Sequence, residues 1–311
     1  MSRLQTARSL IVATGKEVLD DDVPTLAAAI AYYAVFSLPP LLVTIVAIAG
    51  AVAGPDRVQE ALTSQIGGLA GGGTGEAVRG MIEQAGTLGD GVGSKVAGLV
   101  ALLFGATGAF GQLQKALNRA WEVDAAAGQG LLSVLVKRVL SFGMIVTIAL
   151  LLLISLVIDA ALGAAGTAAS SLLPSEAARF GIGLASVAVS LLVTAGLFAV
   201  VFKVLPDAEI RWRDVAVGAL VTAGLFTVGK AAIGFYVGTS DPGSAFGAAG
   251  ALALLLLWIY YTSLILLVGA EFTQIWASRY GQGIAPDGTA LGPAHPAATA
   301  REPAPRSGVN P

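Results

Sequence analysis

Two oppositely charged side chains stand where charge is expensive. Lys230 lies within DVAVGALVTAGLFTVGKAAIGFYVG, and Asp159 ends the run LLLISLVID. If the two helices that carry them are neighbours, the ammonium and carboxylate meet within about 4 Å as a structural ion pair. Otherwise Lys230 snorkels toward a polar boundary, or it lines a path and offers positive charge to an anionic solute. Glu271 in GAEFTQIW is a third candidate. It serves as an inter-helix polar contact, a boundary charge or a transport residue, with Gln274 three positions on along the same face. Tyr33 and Ser37 are four residues apart, so both hydroxyls leave one helical face. Pro39 and Pro40 follow at once, freeing carbonyls in the preceding turn and favouring a kink that lines a cavity or only bends the helix. Asn118 and Trp258 are the remaining polar-edged candidates, the latter grouped with Tyr260 and Tyr261 in an apolar run where each polar edge needs a partner.

Other chemistry is scarce. The chain has no cysteine and a single histidine, His295, in a segment rich in Pro and Ala, so thiolate nucleophiles and histidine-based metal sites are not expected. Asp20, Asp21 and Asp22 form the densest carboxylate group. Beside Pro24 and Thr25, Asp22 reads as a helix N-cap and the others as solvated charges, with divalent-ion binding the weaker alternative. No GxxxxGK[ST] segment is present for ATP binding. Neither a cofactor nor a metal is expected, and a nuclease would need an acid–base or metal set that the sequence lacks.

The elements that must position these residues are apolar. Hydrophobic residues make up 55% of 311 and charged residues 12%, and mean hydropathy is +0.79. A soluble domain carries roughly 25% charge. Six apolar stretches stand out, at 27–53, 96–113, 134–160, 180–202, 214–237 and 247–273. A membrane helix needs about 20 such residues, so the expectation is an all-α polytopic membrane protein with six transmembrane helices. The second stretch is the shortest, with its strictest apolar core at Val96–Phe110. The 40 glycines suit close helix approach, with Gly105, Gly108 and Gly111 in the second stretch and Gly218, Gly224, Gly229 and Gly234 in the fifth.

Basic residues set the orientation. Arg3, Arg8, Lys16, Lys115, Arg119, Lys137, Arg138, Lys203, Arg211, Arg213, Arg279, Arg301 and Arg306 fall on one side of a six-span arrangement. Only Arg57, Arg79, Lys95 and Arg179 fall on the other, so both termini are expected in the cytoplasm. Trp121, Trp212 and Tyr236 then lie at membrane boundaries as anchors. Residues 1–22 read as an amphipathic cytoplasmic segment, with Leu4, Ala7, Leu10, Ile11, Thr14 and Val18 on one face, rather than as a cleaved signal peptide. Residues 23–280 form the membrane domain. Its loop 54–94 is expected outside the cell as two short helices broken near Gly67–Gly75, capping the bundle or serving as a lid. Residues 281–311 read as a disordered cytoplasmic tail.

Four segments resemble the YihY/BrkB family in order and spacing. They are DDVPTLAAAIAYYAVFSLPPLLVTIVAIAG (21–50), FGQLQKALNRAWEV (110–123), LPDAEIRWRDVAVGAL (205–220) and LLLLWIYYTSLILLVGAEFTQI (254–275). The resemblance fades in 54–94 and stops in the tail. It implies a six-helix inner-membrane bundle with cytoplasmic termini, in a family once labelled ribonuclease BN and in some members linked to serum resistance or virulence. It implies no substrate. The chain is therefore expected to be a non-enzymatic protein of the bacterial inner membrane in contact with lipid, without nucleic acid. It either transports a small solute or lipid, or supports the envelope as a scaffold, as a homo-oligomer or with an envelope protein partner.

Overall fold

The computed structural model describes residues 3–70, 72–86, 108–125, 176–240, 250–286 and 290–291. Eight helical elements appear among them. They are α1 (Arg3–Asp20), α2 (Val23–Ala53), α3 (Pro55–Ala70), α4 (Gly72–Gly86), α5 (108–120), α6 (Glu176–Val204), α7 (Trp212–Ser240) and α8 (Gly250–Tyr280). Two ladders of two-residue strands accompany them. Antiparallel β1 (Asp124–Ala125) pairs with β4 (Ala290–Leu291), and β2 (Ala208–Glu209) pairs with β3 (Ala285–Pro286). The start of α2, the ends of α5 and α6, the start of α7 and the end of α8 share a single core cluster with the strand-bearing loops. We call this end of the bundle the base.

The fold is all-α in its larger elements and membrane-spanning, but the count of six spans is corrected. Among the described residues three helices are long and apolar enough to cross a membrane: Gly183–Val204, Trp212–Tyr236 and Leu252–Tyr280. In α2 the described apolar run is Val23–Pro39, within a helix that continues to Ala53. The stretch 134–160 and residues 96–107 lie outside the described residues.

Local chemistry explains the element boundaries. Asp22 occupies the N-cap position of α2 with φ 54° and ψ 42°, but its side chain makes no cap bond to the backbone. The reason is that Asp22 also terminates α1: its N–H donates to the Leu19 carbonyl at 3.2 Å, and that left-handed turn sets its backbone. Its carboxylate instead accepts from the Thr25 hydroxyl at 3.0 Å. Asp tolerates this conformation better than most residues. Gly54, with φ 93°, ends α2 by donating to the Gly50 carbonyl at 2.9 Å. Pro39 and Pro40 sit inside an unbroken helical run, where they leave the Val35 and Phe36 carbonyls without an intrahelical amide donor.

Two apolar clusters hold the described bundle. The smaller joins α2 to α3 and α4 through Leu42, Val78 and Ile82, with Leu62, Ile66 and Met81 against them. There α3 and α4 approach backbone to backbone: a Cβ on Gly75 would stand 2.8 Å from the Thr63 carbonyl oxygen. The larger lies toward the base, around Val23, Leu117, Trp121, Phe202, Leu205, Val215 and Leu267. A column of rings runs through it from Trp121 by Phe202, Phe198 and Phe226 to Trp258 and Tyr261, with successive centroids 5.8–6.4 Å apart.

Helices α7 and α8 interlock by a reciprocal device. A Cβ on Gly218 would overlap Thr273, and one on Gly269 would overlap Thr222. Each threonine bonds back to the glycine carbonyl four residues earlier in its own helix, Thr222 at 2.8 Å and Thr273 at 2.6 Å. The antiparallel repeat Gly-x-x-x-Thr thus seats each methyl-bearing side chain on the partner's bare backbone while hiding its hydroxyl. This is how small residues drive packing where no hydrophobic force acts between helices. Gly229 repeats the contact under Tyr261.

Candidate functional site

The base gathers the polar side chains that the bundle buries. Helix α5 ends in a Schellman turn: Val123 N–H donates to the Asn118 carbonyl at 2.8 Å and Glu122 N–H to that of Arg119 at 3.0 Å. Glu122 occupies the position usually given to glycine, with φ 54°. The turn aims Asn118 at the loop between α6 and α7. Its amide donates to Asp207 Oδ2 at 3.0 Å, and its carbonyl accepts from the Asp207 N–H at 2.9 Å. Gln114, one turn earlier, donates to Asp207 Oδ1 at 3.2 Å. The Lys203 ammonium closes the same loop by donating to the Ile210 carbonyl at 2.7 Å. Trp121 is 2% exposed and donates from Nε1 to the Ala270 carbonyl at 3.1 Å, so it is a core clamp between α5 and α8 and not a boundary anchor.

One residue beyond that clamp is Glu271, 1% exposed. Its carboxyl meets that of Asp21, with Glu17 and Glu122 nearby. Its Oε1 has no hydrogen-bond partner among the described residues. Asp21 is held from the other side by Arg119, whose Nε is 3.6 Å from Oδ1. Burial, then repulsion from Asp20, Glu122 and Asp21, push the Glu17 carboxyl above its ordinary value, with Lys16 opposing. One turn before Glu17 on α1, Thr14 is also buried, its hydroxyl without a partner among the described residues. Among the described residues the other buried oxygens without a partner are on Thr63, Asp214 and Thr262.

A cleft of about 470 Å³ opens at the base, lined by Trp121, Glu122, Gln274, Ser278 and the chain following α8 as far as Pro286. That chain belongs to the segment expected to be disordered, yet its first residues form β3 and β4 against β2 and β1. Gly281 lets it turn there, because a Cβ would come 2.5 Å from Asp214 Oδ2.

The other candidates scatter. Tyr33 is 44% exposed, and its ring packs where a Cβ on Gly108 would stand 3.0 Å away. Ser37 is buried, but its hydroxyl donates to the Ala34 carbonyl of its own helix at 2.8 Å. Pro39 is half-buried in α2. Trp258 belongs to the ring column, and the neighbouring Tyr261 hydroxyl donates to the Leu225 carbonyl at 3.2 Å. Lys230 lies exposed on α7. Asp159, its expected partner, lies outside the described residues. Only Asn118 and Glu271 come together at the base, and Asp207, Gln114 and Asp21 join them. Sequence reasoning singled out neither Gln114 nor Asp207; the signal for Asp207 was an aspartate after proline in a short link between two apolar helices.

Among the described residues no group of three or more His, Cys, Asp or Glu side chains is disposed to hold a metal ion. Comparison with known proteins gives a consistent picture. A family model described as Virulence factor BrkB matches residues 14–290. A UPF0761 membrane protein of Xanthomonas campestris pv. campestris is 28% identical over 270 residues, covering 85% of this chain and 60% of its own. One of Ralstonia nicotianae is 28% identical over 180 residues, 57% of this chain and 38% of its own. One of Stenotrophomonas maltophilia is 25% identical over 271 residues, 84% and 59% respectively. The chain thus spans less than two thirds of the length of these relatives. No solved structure matches it.

Proposed function

The chain belongs to the Virulence factor BrkB family of multi-pass inner-membrane proteins, and we propose that it transports a small solute, with the base of the bundle facing the cytoplasm. One observation carries this reading. Glu271 lies in a membrane-crossing helix, almost fully buried, with an oxygen that has no partner among the described residues and a second carboxyl beside it. An ionisable group so placed is costly, and packing alone gives it no reason to persist. The orientation is supported by Lys115, Arg119, Lys203, Arg211, Arg213 and Arg279, which cluster around the base. Trp212, 58% exposed, suits an interfacial anchor there.

The second reading is a non-transporting scaffold that organises envelope partners or further copies of itself. The reciprocal Gly–Thr packing of α7 and α8 favours it, since such a close fit resists movement. Both readings accept a rigid α7–α8 pair and differ over whether anything moves past it. The test is purified protein in liposomes, screened across ions, osmolytes and lipids. The transport reading expects flux above that of protein-free vesicles for at least one class. Absence of flux throughout the screen, from protein verified as folded, would replace it with the scaffold.

A further inference from the structure

We propose that Glu271 and Asp21 form a proton-binding pair where α1 crosses α8, loaded from the base and coupled to solute movement. The geometry begins with the contact between two carboxyl groups. A hydrogen bond between them has a donor only when one holds a proton, because ionised carboxylates are acceptors alone. Glu271 Oε1 is buried and has no partner among the described residues, a second sign that the site is incomplete as it stands. A proton needs two oxygens within hydrogen-bond reach, whereas Ca²⁺ needs six to eight oxygen ligands, and among the described residues no suitable group exists for a metal.

The surrounding charges fit a proton that comes and goes. From α1, Glu17 faces the pair with Lys16 beside it; from the end of α5 come Glu122 and Arg119, the latter holding Asp21 at 3.6 Å. From α7, Asp214 lies further along, against Gly281. Asp22, at the start of α2, is engaged by Thr25, and on α4 Arg79 and Glu83 pair with each other at 2.8 Å. Glu17 is half-buried and Glu122 exposed, so they offer steps by which a proton reaches the buried carboxyl from water. The transfer is simple: a proton leaves hydronium for a carboxylate oxygen at the rim and passes to the Glu271–Asp21 pair. Loading removes one negative charge from the junction and draws α1 onto α8; unloading leaves facing carboxylates that push α1 away. The binding step stands on this geometry alone, whereas its coupling rests on the transport reading.

The experiment has two arms on the full chain. pH-difference infrared spectroscopy of the purified protein reads the carbonyl stretch of protonated carboxyls. The wild type should show a titrating band that disappears in Glu271→Gln and shifts in Asp21→Asn. A band unchanged in both variants, or no titrating band in the wild type, overturns the site. Should Glu271→Gln fail to fold, Asp21→Asn alone decides by the same criterion. In the second arm, liposomes carrying an internal pH dye report proton entry when a transported solute is added. Proton movement that tracks solute in the wild type and falls about tenfold in Glu271→Gln supports coupling. Solute flux with no accompanying proton movement overturns coupling but not transport. An intact carboxyl band with no flux for any solute overturns the transport reading and leaves the proton site standing.

Discussion

Glu271 and Lys230 are both charged residues within membrane-crossing helices, yet the fold treats them oppositely. Glu271 is sealed at the base among Asp21, Trp121 and the α5–α8 clamp, whereas Lys230 stands exposed on α7, toward the other end of that helix. Depth in the apolar run ranked Lys230 first; helical face and neighbours place Glu271 in the network. A charge in an apolar sequence becomes a candidate site when side chains of other elements enclose it, which depends on packing and not on position along one helix.

The contrast can be broken most forcefully through the network beneath Glu271. Asn118→Ala removes a donor to the buried Asp207 carboxylate and the acceptor of its N–H. We expect a loss of about 3 kcal/mol, read as reduced thermal stability in detergent. A change below about 0.5 kcal/mol would mean that the base is not the rigid end. Next comes the α7–α8 interlock. Gly269→Ala should cost about 2 kcal/mol, because the added methyl overlaps Thr222, and Thr222→Ala in the same chain should recover part of it. Strict additivity of the two would refute the interlock.

A smaller effect concerns pH. The folded Glu17 carboxyl lies above its ordinary value of 4.5, so folding favours its protonated form. Its contribution is fully present below the ordinary value and is lost as pH rises through the raised one. Hydrogen exchange in α1 should therefore quicken over that interval, and Glu17→Gln should flatten the response. Last, Lys230→Met should not lower thermal stability by more than about 0.5 kcal/mol, because on the exposed face of a membrane-crossing helix it removes only a costly charge. A larger loss would show that Lys230 is held by a partner, such as Asp159, which lies outside the described residues.

Much of the architecture was legible because it is written in runs. Apolar stretches gave the helices α2, α6, α7 and α8, and the glycines around 67–75 marked the break between α3 and α4. The number of spans was not legible in the same way: of the six apolar runs, three match described helices long and apolar enough to cross a membrane. Asp22 was legible as the residue before α2 but not its missing side-chain bond, because sequence shows only the helix it precedes, not the turn it ends. Trp121 looked like an anchor from its place beside a charged segment, whereas its Nε1 bond to Ala270 depends on how α5 meets α8. Asn118 and Glu271 were visible as candidates. Their convergence was not, because 89 residues separate Asn118 from Asp207, and 250 separate Asp21 from Glu271.

The central claim is that function resides at the buried carboxyl of the base and not at the exposed ammonium of α7. Its most direct test is solute flux per folded protein in liposomes for Glu271→Gln and Lys230→Met, each beside the wild type, using a solute that the wild type moves. Flux should fall about tenfold or more in Glu271→Gln and remain near the wild-type rate in Lys230→Met. The reverse pattern, full flux without the Glu271 carboxyl and impaired flux without the Lys230 charge, would contradict the account.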